Sequence, residues 1–164
     1  MRVMRVIEEG LKARGITIIA TSLVRNDWPR DRAFLAAMQN ADLIVINGEG
    51  TLHHGSKQGA KLLDVVDHPA RRTTPVALIN AVYQDNPPAW NERLAKFDLI
   101  STRDSWSAKE VETAIGRKTD FVPDLSLAEG AVSTPETLRR DRLLIGDSVN
   151  RAVGRQLLAF ADQR

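Results

Sequence analysis

Cysteine is absent from the 164 residues. That excludes a disulfide framework, a thiol nucleophile and any thiolate metal site. No apolar run approaches the ~20 residues of a membrane-spanning helix. The first nine residues lack an apolar core and are acidic by Glu8, so no secretory leader is expected and a cytoplasmic location follows. Charge of one sign is also lacking. Lysine plus arginine number 23 and aspartate plus glutamate 21, so the net charge is +2. The cations are scattered, with only Arg71-Arg72, Arg117-Lys118 and Arg139-Arg140 adjacent, which leaves no electrostatic case for nucleic acid.

What is present is an alternation of strand-like and helix-like segments. Val3, Val6, Ile7 and Leu11 recur at helical spacing, and Gly15 ends that helix. Residues 16–20 then read as a strand. Asp27 can cap a helix with Trp28-Pro29 in its first turn and Phe34, Leu35 and Met38 facing inward. Residues 43–46 form the next strand, 60–66 a helix broken by His68-Pro69, and 76–81 a third strand. Asn86-Pro87-Pro88 makes a stiff turn, and Trp90, Leu94 and Phe97 mark a short helix. Residues 99–102 form a fourth strand, Ser105 caps a helix running to Ala114 and closed by Gly116, and Phe121-Val122 begin a short fifth strand. The pattern predicts an α/β fold, a Rossmann-like, mostly parallel sheet with flanking helices. Residues 1–128 form that domain and 129–142 a polar linker. Residues 143–164 start a second, incomplete α/β unit, with a strand at 143–145 and a helix at 149–160.

The densest chemistry lies in Asp42-Leu-Ile-Val-Ile-Asn-Gly-Glu-Gly-Thr-Leu-His-His-Gly55. A β-branched run, apolar on both faces, opens into what reads as a glycine loop. Ligands of open α/β sheets gather at the carboxyl ends of such strands. Asn47, Gly48, Glu49, Gly50, Thr51, His53 and His54 are thus placed at a candidate site, with either histidine a candidate for proton transfer. Known nucleotide loops do not fit. Gly48-Glu-Gly50-Thr-Leu-His53 lacks the third glycine of a dinucleotide fingerprint, and Ser56-Lys57 reverses the final pair of a P-loop. His53, His54, Asp64, Asp67 and His68 have no ligand spacing for zinc, so no metal is expected. Gly146-Asp147-Ser148 resembles an esterase nucleophile block, but only 16 residues follow it, and the serine reads as a helix cap.

A second feature is Ser101-Thr-Arg-Asp-Ser105, which joins a strand end to a helix start. Arg103 there either grips a carboxylate or phosphate or ties strand ends together by pairing with Asp104 or Asp124. Asn80 and Tyr83 at the end of the third strand, and Asp124 after the fifth, join the same rim. Trp28, Trp90 and Trp106 sit at helical positions and read as packing residues.

Four segments in order resemble the polysaccharide pyruvyl transferase family. They are Asn47-Gly-Glu-Gly-Thr51, the strand Pro75-Val-Ala-Leu-Ile-Asn80, Asp98-Leu-Ile-Ser-Thr-Arg-Asp-Ser-Trp-Ser107, and Val122-Pro-Asp-Leu-Ser126. The family typically carries a Gly-Gly-Gly-Ser-like loop, an Arg-Asp-x-x-Ser element and a strand ending in Asp-Pro or a variant. The match covers roughly residues 1–128, and order and spacing carry it rather than any one motif.

The resemblance implies one half of a two-domain, B-type glycosyltransferase fold, and a transferase of exopolysaccharide biosynthesis. Its donor would be phosphoenolpyruvate, with no further cofactor, and its acceptor a sugar or lipid-linked saccharide that receives the pyruvyl group as a ketal. Attachment to a membrane would be peripheral at most. Arg103 would clamp the donor's phosphate and carboxylate, with Asp104 and Ser105 beside it as substrate-binding residues, residues 48–51 would contact an oxyanion or sugar, and His53 or His54 would transfer protons. The loop departs from triple glycine. The family's usual first strand and most of its second domain are missing, so activity is expected to need more chain. Two other readings remain open: a sugar-nucleotide glycosyltransferase of B-type fold, and a non-catalytic sugar- or anion-binding module.

Overall fold

A computed structural model describes residues 2–128 and 151–162. The chain divides into two compact units, Met1–Gly130 and Ala131–Arg164. Of the second, the structure describes one helix, Arg151–Asp162. The linker expected at 129–142 and the strand expected at 143–145 lie outside the described residues.

The first unit is built on a parallel sheet of β1 (Ile44–His53), β2 (Val76–Gln84), β3 (Leu99–Thr102) and β4 (Asp120–Phe121), in that spatial order. Helices α1 (Arg2–Lys12) and α2 (Arg32–Gln39) precede β1, while α3 (Lys57–Leu63), α4 (Asn91–Ala95) and α5 (Ser105–Ile115) lie in the crossovers. Every crossover steps to the next strand in the same direction. Right-handed connections then put their helices on one face, and α3 packs on β1 and α5 on β2 and β3. Register shows which side chains meet them. Ile44 pairs with Val76, and Ile46 with Leu78, which pairs with Ile100. These five supply one apolar face, closed by Leu52, Leu63, Leu94, Phe97 and Val111. The alternate residues turn the other way. That second face is less covered: Leu99 there is 53% exposed. Together these features make an α/β, Rossmann-like layer.

Several local expectations are corrected. Residues 16–20 take no regular secondary structure and pair with no strand among the described residues, and Ile16 and Ile19 are exposed. β-propensity without a partner ladder makes no strand, and the Ile16 N–H is used to close α1 through the Leu11 carbonyl. Asp27 heads a 3-10 turn, Trp28–Arg30, without capping it. The cap of α2 is Asp31, whose Oδ1 accepts the Phe34 N–H at 3.0 Å. The cap of α5 is Asp104 rather than Ser105. Gly15 and Gly116 do end their helices, both at positive φ.

The largest correction concerns the glycine loop, because β1 runs straight through it to His53. Gly48 is there for close approach, not for a turn: an added Cβ would lie 2.7 Å from the Ala81 Cβ. The ladder loses register between Glu49 and Leu52, and Glu49 takes φ 40. Likewise β2 runs on to Gln84, three residues past the expected end, with a shift against β3 between Leu78 and Ala81 and Asn80 at φ 53. Such bulges re-aim side chains at strand ends. The actual turn comes at His54 and Gly55.

Candidate functional site

Level with the carboxyl ends of the shorter β3 and β4, the sheet brings together Asn47 to Gly50 midway along β1, Asn80 midway along β2, Arg103 just past β3 and Asp124 three residues past β4. The Arg103 N–H continues the ladder by donating to the Ala81 carbonyl at 3.0 Å. This carries the guanidinium over β2 towards β1, where an added Cβ on Gly50 would stand 3.9 Å from Arg103 Nη2. On its other side, Nη1 donates to Asp124 Oδ2 at 2.8 Å. Of the two alternatives for Arg103 as a tie between strand ends, the structure thus contains the Asp124 pair. Both side chains are 28% exposed. Asp124 Oδ1 accepts the Ser126 N–H at 2.9 Å. That backbone donor first, and the Arg103 charge with it, hold the Asp124 carboxyl below its ordinary range against the opposing effect of burial.

Behind the ion pair runs a relay of amides. Asn80 Nδ2 donates to Asn47 Oδ1 at 3.2 Å, and Asn80 Oδ1 accepts the Leu125 N–H at 3.2 Å. Asn47 Nδ2 in turn points at Met4 Sδ, 3.7 Å away in α1. The relay ties α1, β1, β2 and the turn after β4 into one wall. Asn80 is only 3% exposed, and both its amide ends are engaged. A non-glycine residue at positive φ is costly, and its retention here follows from these bonds.

The other expected site residues are placed differently. Asp104 is occupied by the α5 cap, with Oδ1 accepting the Ser107 N–H at 2.8 Å and Oδ2 the Ser107 hydroxyl at 2.9 Å. Ser105 stands exposed in the first turn of α5. Gly48 is sealed against Ala81, and the Thr51 carbonyl accepts the Ser56 hydroxyl at 2.6 Å at the start of α3. Tyr83 leaves the rim altogether. It lies in the core, its hydroxyl is buried without a hydrogen-bond partner among the described residues, and burial, with the Glu110 charge, pushes its pKa up to about 12.

His53 and His54 sit beyond the cluster. Glu49 pairs with Ala81 and His53 with Gln84, so His53 is three residues further along β2, about 10 Å at the usual rise. There His53 Nδ1 and His54 Nδ1 are 3.1 Å apart, and His54 Nε2 is 3.5 Å from Asp85 Oδ2. Among the described residues no group of three or more His, Cys, Asp or Glu side chains is placed to hold a metal ion.

Ser107, Met4 and the Leu125 N–H were not singled out as site residues from sequence. Ser107 has a legible signal, three residues after a capping aspartate. The Met4 and Leu125 contacts have none, since they span 43 and 45 positions. The charge pairing of the rim also emerges only here: Arg103 takes Asp124, while the Asp104 carboxylate is turned to the α5 cap. No family model, no curated protein and no solved structure matches this chain. No helix among the described residues is long and apolar enough to cross a membrane.

Proposed function

We propose that the chain binds a small anionic donor at Arg103 and is the donor- or acceptor-binding half of a polysaccharide pyruvyl transferase-like enzyme. The observation that carries this reading is the posture of Arg103. Asp124 fixes one nitrogen of its fork, and the other is turned towards the backbone at Gly50, level with the carboxyl ends of β3 and β4, the side on which α/β sheets take ligands. A planar guanidinium so held offers paired donors to a carboxylate or phosphate. The choice of phosphoenolpyruvate rests on the order of the four sequence segments, and as a metabolite of the cytoplasm it sets the compartment. In the reaction, the methylene carbon of the donor is protonated and one sugar hydroxyl adds to the enol carbon. A second hydroxyl then displaces phosphate, leaving the ketal. Glu49 is exposed, backbone-strained and next to Gly50, so it joins His53 and His54 as a candidate for the proton transfers.

The test is calorimetric titration with phosphoenolpyruvate, followed by assay of phosphate release with a saccharide acceptor. Arg103→Ala is expected to weaken donor binding about 10- to 100-fold. Equal binding by Arg103→Ala overturns the assignment. The exposed Glu49 beside Gly50, an acceptor for sugar hydroxyls, favours a second reading, a sugar-binding module without catalysis. Binding of saccharide with no phosphate release from phosphoenolpyruvate would select it.

A further inference from the structure

A second group of titratable side chains stands where β1 and β2 end. His53 closes β1 opposite Gln84, and the His54 N–H donates to the Gln84 carbonyl at 2.9 Å. Two turns follow side by side, His54-Gly55 and Asp85-Asn86. Asn86 clamps them together: its Oδ1 accepts the Gly55 N–H at 3.1 Å, and its Nδ2 donates to the Leu52 carbonyl at 2.8 Å. Each turn holds a non-glycine residue at positive φ, His54 at 52 and Asp85 at 49. Such residues cost free energy and gather where function needs a side chain aimed. Here the aim is plain, because His54 presents one ring nitrogen to Asp85 and the other to His53. Its Nε2 lies 3.5 Å from Asp85 Oδ2, and its Nδ1 lies 3.1 Å from His53 Nδ1. Both histidines are exposed.

These contacts fix where the protons sit when both rings are neutral. An ionised carboxylate only accepts, so the His54 nitrogen facing Asp85 carries the proton. A neutral imidazole has one N–H, so His54 Nδ1 is bare and accepts. The N–H in the 3.1 Å contact then belongs to His53 Nδ1, and His53 Nε2 keeps a free lone pair. We infer that Asp85, His54 and His53 form a proton relay whose accepting atom is His53 Nε2, with His54 and Asp85 as positioning residues. A proton taken there from a ligand O–H leaves the electron pair on that oxygen and makes His53 an imidazolium. Its Nδ1 proton passes to His54 Nδ1. His53 returns to neutral with the new proton on Nε2, and the positive charge rests on His54, opposite the Asp85 carboxylate. The relay stands about 10 Å along β2 from the position of Glu49, so it does not share the anion site at Arg103. It deepens the proton-transfer part of the proposed function and rests on that reading for the reaction it serves. The relay itself rests on the two turns alone.

The chain has three histidines, and the third is an internal control. His68 Nδ1 accepts the Ala70 N–H at 3.2 Å, so its proton is on Nε2. Ring-nitrogen NMR of the full chain at mildly alkaline pH is expected to show Nε2–H in His54 and His68 and Nδ1–H in His53. His53→Gln and His54→Gln assign the signals. Diethyl pyrocarbonate, which acylates a bare imidazole nitrogen, should mark His53 fastest. Asp85→Gly removes the carboxylate without straining a turn at positive φ. It should return His54 to a mixture of tautomers and slow acylation of His53 about two- to fivefold, the factor of an exposed pair. Asp85→Asn, whose amide oxygen still accepts, should keep part of the effect. An Nε2–H tautomer in His53 overturns the inference, and so does equal acylation of His53 in Asp85→Gly. Phosphate release from phosphoenolpyruvate that His53→Gln leaves unchanged overturns it too, with the transferase reading still standing. The expected tautomers without any phosphate release sink the transferase reading and keep the relay.

Discussion

Asp124 joins two donors at once: its Oδ2 holds Arg103 Nη1 at 2.8 Å, and its Oδ1 holds the Ser126 N–H at 2.9 Å. The carboxylate therefore does for the arginine what a helix cap does for a helix end, fixing direction through a short backbone turn. It also makes the posture of Arg103 pH-dependent. The carboxyl titrates below its unfolded value, so its stabilisation is fully present above that value and is lost as pH falls through the folded one. Asp124→Asn should cost up to about 1 kcal/mol near neutrality, the scale of a partly exposed pair. The difference should vanish in acid. Urea denaturation of both proteins across that range measures it, and a gap that widens in acid would contradict the assignment.

Gly48 and Gly50 share one motif but carry different demands. A Cβ on Gly48 would sit 2.7 Å from the Ala81 Cβ and 3.0 Å from its Cα, while one on Gly50 would meet only Arg103 Nη2 at 3.9 Å. Gly48→Ala is expected to destabilise by about 1–3 kcal/mol, because β1 and β2 must separate. Gly50→Ala should stay within about 0.5 kcal/mol. Thermal melts of the two variants rank them.

The cap of α5 gives an equally clean contrast between neighbours. Asp104→Ala removes the acceptor for both the Ser107 N–H and its hydroxyl. A loss of about 1–2 kcal/mol follows. Ser105→Ala should be nearly silent, within about 0.5 kcal/mol. A larger loss from Ser105→Ala would mean that Ser105, not Asp104, begins the helix.

Tyr83 is the only tyrosine, so tyrosinate absorbance reports it alone. Its hydroxyl is pushed up to about 12 by burial, against about 10 in the unfolded chain. The protonated form is favoured in the fold. Its contribution is therefore complete below the unfolded value and is lost as pH rises from about 10 through about 12, a decline of about 2–3 kcal/mol. Tyr83→Phe should remove that alkaline decline. Near neutrality it should be neutral or slightly stabilising, since no hydrogen bond is given up. A normal tyrosinate titration in the native protein would place the hydroxyl in water.

The alternation of elements, the ends of α1 and α5 at Gly15 and Gly116, β3 and the helix around Leu94 were all legible in the chain. Each rests on neighbours within one or two turns, where periodicity and glycine conformation act. The strand-end cluster was legible in part. Asn47, Asn80, Arg103 and Asp124 stood out because each follows an apolar run, and strand ends of a parallel sheet converge. Residues 16–20 misled for the same local reason: an Ile-rich run states a preference, but a strand needs a partner.

By itself, then, the sequence determined that this protein is an α/β chain with polar groups gathered at strand ends, because hydrophobic period and breaker residues are encoded locally. Only the tertiary structure decided what those groups do to one another. Gly48 became a contact instead of a turn because β2 lies against it. Tyr83 was drawn into the core while Trp106 was left in water. Asp124 took Arg103 while Asp104 closed a helix. These outcomes depend on register, on the two bulges and on distances between residues tens of positions apart, and no local pattern records them.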